Sequence, residues 1–168
     1  ESQRLAKRTT PEELAKGVPA QRYQWNAPIV LSPHNPGIVY ICSQFVHRSP
    51  SRGDTDTFVT ISPDLSRADK TRIEESKKTN LQYATIYSFA ESAKKPGLYW
   101  AGTDDGNVQM SPDGGATWVN ITASFYDMKT GKAKPGVKGA LIPFDRWVKR
   151  VVPSAHDENT CYAGFSGY

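Results

Sequence analysis

The sequence predicts an all-β chain, a β-propeller fragment of two full four-stranded blades plus the first two strands of a third, and three observations predict it. The eight residues from Pro36 to Ser43 align without a gap on Pro96 to Thr103. The aromatic positions Tyr40, Trp100 and Tyr162 recur at spacings of 60 and 62 residues, the last within a looser copy over 158–165. Downstream, Phe58-Val59-Thr60-Ile61-Ser62 matches Trp118-Val119-Asn120-Ile121-Thr122, again 60 residues apart. Self-similarity at a fixed spacing marks a repeat architecture. Each unit reads as an apolar run, a turn, a second run, a Gly or polar turn, and two further short runs joined by a tight turn. That is the pattern of a four-stranded antiparallel blade.

The elements follow in order. Residues 1–24 read as a linker or short helix, because Thr10-Pro11-Glu12-Glu13 places a capping Thr and a Pro at a first turn and Gly17 supplies a stop. Residues 25–62 form the first predicted blade and open on Ile29-Val30-Leu31. Residues 64–82 do not fit a blade and contain a charged, helix-like piece. The second blade, 85–122, opens on Thr85-Ile86-Tyr87-Ser88-Phe89. Residues 123–146, rich in Gly, Lys and Pro, read as a connecting loop. The third unit, 147–168, opens on the run from Trp147 to Val152 and holds only two strands. Residues 25–168 are thus expected to be a partial propeller, and since rings close with ~4 to 8 blades, the remainder is expected from the same parent chain or from another chain. The first residue is Glu1 and no segment has the form of a signal peptide, which reads as a processed or excised piece of a longer chain.

Composition bounds the function classes. A chain of 168 residues allows one domain of ordinary size, and 38% hydrophobic against 23% charged residues is enough to build a core. No apolar run approaches the ~18 to 20 residues of a membrane helix, so no membrane span is expected. The net charge is +4, with 21 basic and 17 acidic residues. Residues 1–22, 66–78 and 129–150 together hold 17 of those basic residues and seven of the acidic ones, so the basic charge lies mostly outside the strand-like parts. Such clusters could meet a polyanion, but charge runs more often mark solvated loops. None is interleaved with aromatics suited to base stacking, which argues against nucleic acid.

Candidate chemistry is sparse. A glycosidase needs two carboxylates ~5 to 9 Å apart across the scissile bond. The local candidates are Asp104 and Asp105 in Thr103-Asp104-Asp105-Gly106-Asn107. Neighbouring strand residues face opposite ways, so a partner carboxylate would have to come from another blade. The competing reading makes this segment a hairpin turn. His34, His47 and His156 stand in no metal-ligand spacing, and there is neither a G-x-S-x-G nor a phosphate-binding loop. No metal or cofactor is expected. Cys42 and Cys161 fall two blades apart and read as buried thiols rather than a disulfide. Aromatics at Tyr23, Trp25, Tyr40, Tyr87, Trp100 and Trp147 read as core at repeat-equivalent positions, or as sugar- or peptide-gripping side chains at a rim.

One motif is specific. Ser111-Pro112-Asp113-Gly114-Gly115-Ala116-Thr117-Trp118 fits S-x-D-x-G-x-T-W at all five defined positions, Ser111, Asp113, Gly115, Thr117 and Trp118. A chance match in a chain of this length is on the order of one in ten thousand. It resembles an Asp-box, the bacterial neuraminidase repeat of sialidases, some endoglucanase-type hydrolases and sortilin receptors. A degenerate copy, Ser49-Pro50-Ser51-Arg52-Gly53 followed after Asp54-Thr55-Asp56 by Thr57 and Phe58, puts Ser51 in place of the Asp and Phe58 in place of the Trp.

With Trp25-Asn26-Ala27-Pro28-Ile29, Ser32-Pro33-His34-Asn35-Pro36, Ser43-Gln44, His47-Arg48-Ser49, Ile61-Ser62-Pro63-Asp64-Leu65 and Gly102-Thr103-Asp104-Asp105-Gly106-Asn107-Val108, the chain resembles large secreted bacterial proteins of the sortilin-like, Asp-box propeller group. The resemblance covers roughly 22–168. It implies an extracellular or periplasmic location and makes the box a fold-stabilising turn at the propeller's outer edge. The leading functional expectation is a scaffold binding protein, peptide or glycan. The alternative is part of a glycoside hydrolase whose acid and base come from several blades, and the incomplete ring also admits a structural subunit of a larger assembly.

Overall fold

A computed structural model describes residues 9–79, 82–137 and 142–167. It is built from antiparallel sheets with few helices. The first sheet runs β1 (Ile29–Leu31), β2 (Val39–Cys42), β3 (Val46–Ser49), β4 (Val59–Thr60), each strand beside its sequence neighbours. The second repeats that order with β5 (Ile86–Glu91), β6 (Tyr99–Thr103), β7 (Val108–Ser111) and β8 (Val119–Asn120), and a third pairs β9 (Val148–Pro153) with β10 (Cys161–Phe165). Among the described residues the sheets do not close into a barrel or a ring.

The repeat read from the sequence is a repeat of register. Val30 pairs with Tyr40, Ala90 with Trp100 and Val152 with Tyr162. The second and third sheets share an irregularity, since the ladder skips Tyr87 in β5 and Lys149 in β9. The first and second strands of every sheet are joined by seven residues, 32–38, 92–98 and 154–160. Each of these turns opens on a Ser whose N-H donates to the carbonyl just before the next strand, at 3.0 Å from Ser32 to Ile38, 2.8 Å from Ser92 to Leu98 and 2.9 Å from Ser154 to Thr160. The same serine Oγ accepts from the N-H two residues on, in His34, Lys94 and His156. A side chain that holds its own turn fixes the hairpin locally.

Two cores join the sheets face to face. One face of the first sheet, with Tyr40, Cys42 and Val46, packs on Ile86, Phe89, Tyr99 and Ala101 of the second, with Trp118 at its margin. The opposite face of the second sheet, with Trp100 and Val108, packs on Val148, Val151, Cys161 and Ala163 of the third. Gly102 marks how close that second contact is, because a Cβ there would stand 2.4 Å from a Val148 methyl. Along β9, Val148 and Val151 are buried and Lys149, Arg150 and Val152 exposed, as in a strand covered on one side whose two-residue period is stretched by the residue the ladder skips.

Helices lie outside the sheets. α1 (Pro11–Ala15) has the Thr10 cap read from the sequence, reinforced by a reciprocal bond between the Glu13 side chain and the Thr10 N-H at 2.9 Å. α2 (Lys70–Lys78) is the charged piece in 64–82, capped by Asp69, with no buried residue; Asn80 and Leu81 of that segment lie outside the described residues. The predicted loop 123–146 is more ordered than expected. It begins in α3 (Thr122–Phe125) and folds back through a bridge between Tyr126 and Ala133, with 138–141 outside the described residues. An up-and-down strand order gathers the β2–β3, β4–β5, β6–β7 and β8–β9 connections at one end. That end carries the long segments 61–85 and 121–147, and the other end carries short turns.

Candidate functional site

Asp104 and Asp105 occupy the β6–β7 turn at the long-connection end, and each is about 1% exposed. They point to different partners. Asp104 accepts from the Thr85 N-H at 2.9 Å and from the Thr85 hydroxyl and the Gln24 amide, both at 2.8 Å. Asp105 accepts from the Thr103 hydroxyl at 2.5 Å and from the Arg67 N-H at 2.7 Å. The turn therefore ties together the segment before β1, the start of β5 and the connection leading to α2. Burial raises both carboxyls, Asp105 to about 6, with their hydrogen bonds opposing the rise.

The surroundings are strained and polar. Among the described residues, three of the four non-glycine residues with positive φ lie here: Ala68 (53°), Ala84 (58°) and Asp145 (56°). Ala84 precedes Thr85, Ala68 follows Arg67, and the Asp145 N-H lies so near the turn that a Cβ on Gly106 would stand 3.1 Å away. Such conformations cost roughly 1 to 3 kcal/mol each and persist where their surroundings enforce them. Asp145 binds both Arg67 and Arg72 at 2.8 Å. Arg67 lies 3.9 Å over the Phe144 ring and Arg72 4.6 Å over the Tyr83 ring. Three buried polar atoms here have no hydrogen-bond partner among the described residues: Arg67 Nε, Tyr83 Oη and Asn107 Oδ1. Burial, and then the Asp105 carboxylate, hold the Tyr83 phenol well above its ordinary range.

A second clasp stands beside the first. Arg22 reaches the Ala84 carbonyl through Nε at 3.1 Å and Asp64 through Nη2 at 2.8 Å, while Gln44 in the β2–β3 turn accepts from the Arg22 N-H at 2.7 Å. Gln24, Arg22, Arg67, Tyr83 and Asp145 were not singled out by sequence reasoning. Their signal is tertiary, since the partners lie 11 to 80 residues away. The Ser32, Ser92 and Ser154 turns were not singled out either, although a Ser opens all three seven-residue segments.

The Ser111–Trp118 box motif lies at the opposite end. Asp113 Oδ1 accepts from the Thr117 N-H at 2.8 Å and Oδ2 from the Thr117 hydroxyl at 2.7 Å, while the Gly115 N-H donates to Ser111 Oγ at 2.9 Å. These bonds hold the Asp113 carboxyl below its ordinary value. Gly114 and Gly115 take φ of 73° and 96°. Trp118 stacks on Tyr99 and reaches past its own hairpin to donate to the Ile61 carbonyl of the first sheet at 3.2 Å. The degenerate box keeps this geometry. The Gly53 N-H donates to Ser49 Oγ at 3.2 Å, Arg52 and Gly53 take φ of 57° and 84°, and Thr57 turns to the Ser49 hydroxyl at 2.6 Å where no Asp is present. Phe58 is buried. In both sheets the box docks on the neighbouring turn, through Arg52 N-H to Gly37 carbonyl at 2.7 Å and Gly114 N-H to Gly97 carbonyl at 2.8 Å.

The remaining candidates fall into the frame. His34 and His156 are exposed turn residues, and His34 Nε2 lies 2.8 Å from the Ser92 carbonyl, so it bridges two sheets. His47 is buried between Ser43 and Thr60. Cys42 is fully buried and Cys161 half-buried, both free thiols, and burial raises Cys161 to about 11. Among the described residues no group of three or more His, Cys, Asp or Glu side chains could hold a metal ion, and no helix is long and apolar enough to cross a membrane. Tyr40 is core, whereas Trp25 and Tyr162 are exposed. No protein-family model matches the chain, and no curated protein matches it either.

Proposed function

We propose that the chain is a segment of a secreted Asp-box β-propeller of the sortilin-like group, acting as a scaffold that binds a protein, peptide or glycan at its long-connection end. The observation that supports the architecture is the recurrence of one strand register, one Ser-opened turn and one box turn from sheet to sheet. The ligand end is chosen because long connections on a rigid scaffold are where binding groups concentrate. Here they present Arg67, Arg72, Tyr83, Phe144 and Asp145, a mixture of guanidinium, ring and carboxylate suited to peptide or sugar. The hydrolase reading is weaker. Asp104 and Asp105 are sealed from solvent and direct their oxygens at donors of their own chain, so neither is placed to meet a glycosidic oxygen.

Glycan and peptide arrays probed with the intact chain, alongside a panel of chromogenic glycosides, test the proposal. Array binding that falls at least about tenfold in Arg72→Ala is the expected result, with no glycoside turnover. Turnover abolished by Asp105→Asn would replace the scaffold reading with the enzyme.

A further inference from the structure

We infer that the cavity between the first and second sheets, at the short-turn end, binds a small carboxylate that also carries a hydrogen-bond donor, with Arg48 taking the carboxylate and Glu91 the donor. The inference does not rest on the ligand proposed for the long-connection end.

Arg48 lies in β3 opposite Tyr40, on the face of the first sheet that packs against the second. The cavity it lines measures about 420 Å³ and is walled by Tyr40, Glu91, Gly97 and Tyr99, with the exposed His34 and Asp113 at its edge. Glu91 is 9% exposed and accepts from the Tyr40 hydroxyl at 3.0 Å and from the Gly97 N-H at 2.9 Å. A carboxylate has room for about four such bonds, so Glu91 keeps capacity for a donor in the cavity. Arg48 has no such company. Its Nε is buried without a partner, and no ion pair among the described residues uses its guanidinium. That guanidinium is a planar fork of donors whose natural complement is a carboxylate. Two opposite charges thus face one small cavity without pairing with each other.

The repeat of the sheets supplies the comparison. By register, Tyr40 and Arg48 of the first sheet correspond to Trp100 and Met110 of the second, and Glu91 and Tyr99 of the second to Pro153 and Cys161 of the third. The junction of the second and third sheets is therefore built at these positions without an Arg or a Glu. Packing two sheets does not require either. A buried charge left unpaired costs stability, so a pair of charges that the fold can do without is kept for what lies between them. Size agrees, because small-molecule sites run from about 300 to 1,000 Å³, and 420 Å³ has room for one sugar acid or one amino acid. Both present a carboxylate close to a hydroxyl or an ammonium.

Calorimetry on the intact chain with sodium D-glucuronate and with L-serine as separate probes tests the inference, with D-glucose and acetate as controls. One of the two probes is expected to bind with a Kd below about 1 mM. Glucuronate binding assigns the cavity to sugar acids, and serine binding assigns it to free amino acids. Glucose and acetate each lack one of the two groups and should bind at least about tenfold more weakly than that probe. Arg48→Lys, which keeps the charge and loses the fork, should weaken the probe at least about tenfold. Arg48→Met installs the side chain that the second sheet carries at the matching position, and it should abolish binding with a thermal midpoint at or above that of the wild type. Binding of neither probe, acetate binding as tightly as either, or Arg48→Met or Arg48→Lys binding like the wild type would overturn the inference.

Discussion

Two carboxylates at opposite ends of the sheets show how burial reverses the effect of the same group. Asp105 is buried, and its folded value of about 6 lies above its unfolded value. Its stabilising effect is therefore complete below pH ~4 and is lost as pH rises through about 6. Asp113 is exposed and hydrogen-bonded by Thr117, so its folded value is depressed and its contribution is present above the unfolded value and lost on acidification. Asp105→Asn is expected to flatten the fall in stability between pH 4 and 7, raising it at pH 7 by up to about 3 kcal/mol. Asp113→Asn should destabilise at neutral pH and leave the acid limb shallower. Urea titrations at a series of pH values check both signs. The residues of the Ser111–Trp118 motif were legible in sequence because they satisfy one another within seven positions, whereas the partners of Asp104 and Asp105 other than Thr103 come from segments that only folding brings together.

Hairpins are the elements that sequence read best, because each carries its own fastening. The Ser-opened turns and the box turns are closed by side chains two to eight residues from their hydrogen-bond partners. Trp118 goes further, since its indole links the outer hairpin of the second sheet to the Ile61 carbonyl of the first. Trp118→Ala is expected to cost about 3 kcal/mol, the lower end for a large aromatic because the ring is only half-buried. Trp118→Phe, which keeps the ring and loses the donor as Phe58 does in the degenerate box, should cost about 1 kcal/mol. Denaturant midpoints with unchanged slopes would separate the two. The connection 123–146 was read as loop because its Gly, Lys and Pro residues carry no period; α3 and the Tyr126–Ala133 bridge arise from contacts such as the Tyr126 hydroxyl on the Ile142 carbonyl at 2.8 Å.

At the scale of the whole molecule, stability is a stack of neighbouring contacts. Among the described residues each sheet packs its core on its neighbour in the order, as in other repeat architectures where nearest-neighbour interfaces dominate. Gly102→Val should wedge β9 away from β6 at a cost of about 1 to 3 kcal/mol. Amide exchange should then accelerate at least about tenfold in β9 and β10 while β1 to β4 keep their protection. Uniform acceleration throughout the chain would show that the three sheets unfold as one unit.

The sequence alone determined the strands, their order and their hairpin turns, because alternating apolar runs and self-fastened turns are local properties that repeat visibly at 60 to 62 residues. Only the tertiary structure decided which face of each sheet is covered, since Tyr40, Trp100 and Tyr162 are equivalent by register and differ solely in what packs against them. It also decided that Asp104 and Asp105 are sealed fastenings, because solvent access and the reach of Gln24, Thr85 and Arg67 depend on segments far apart in the chain and adjacent only after the sheets stack.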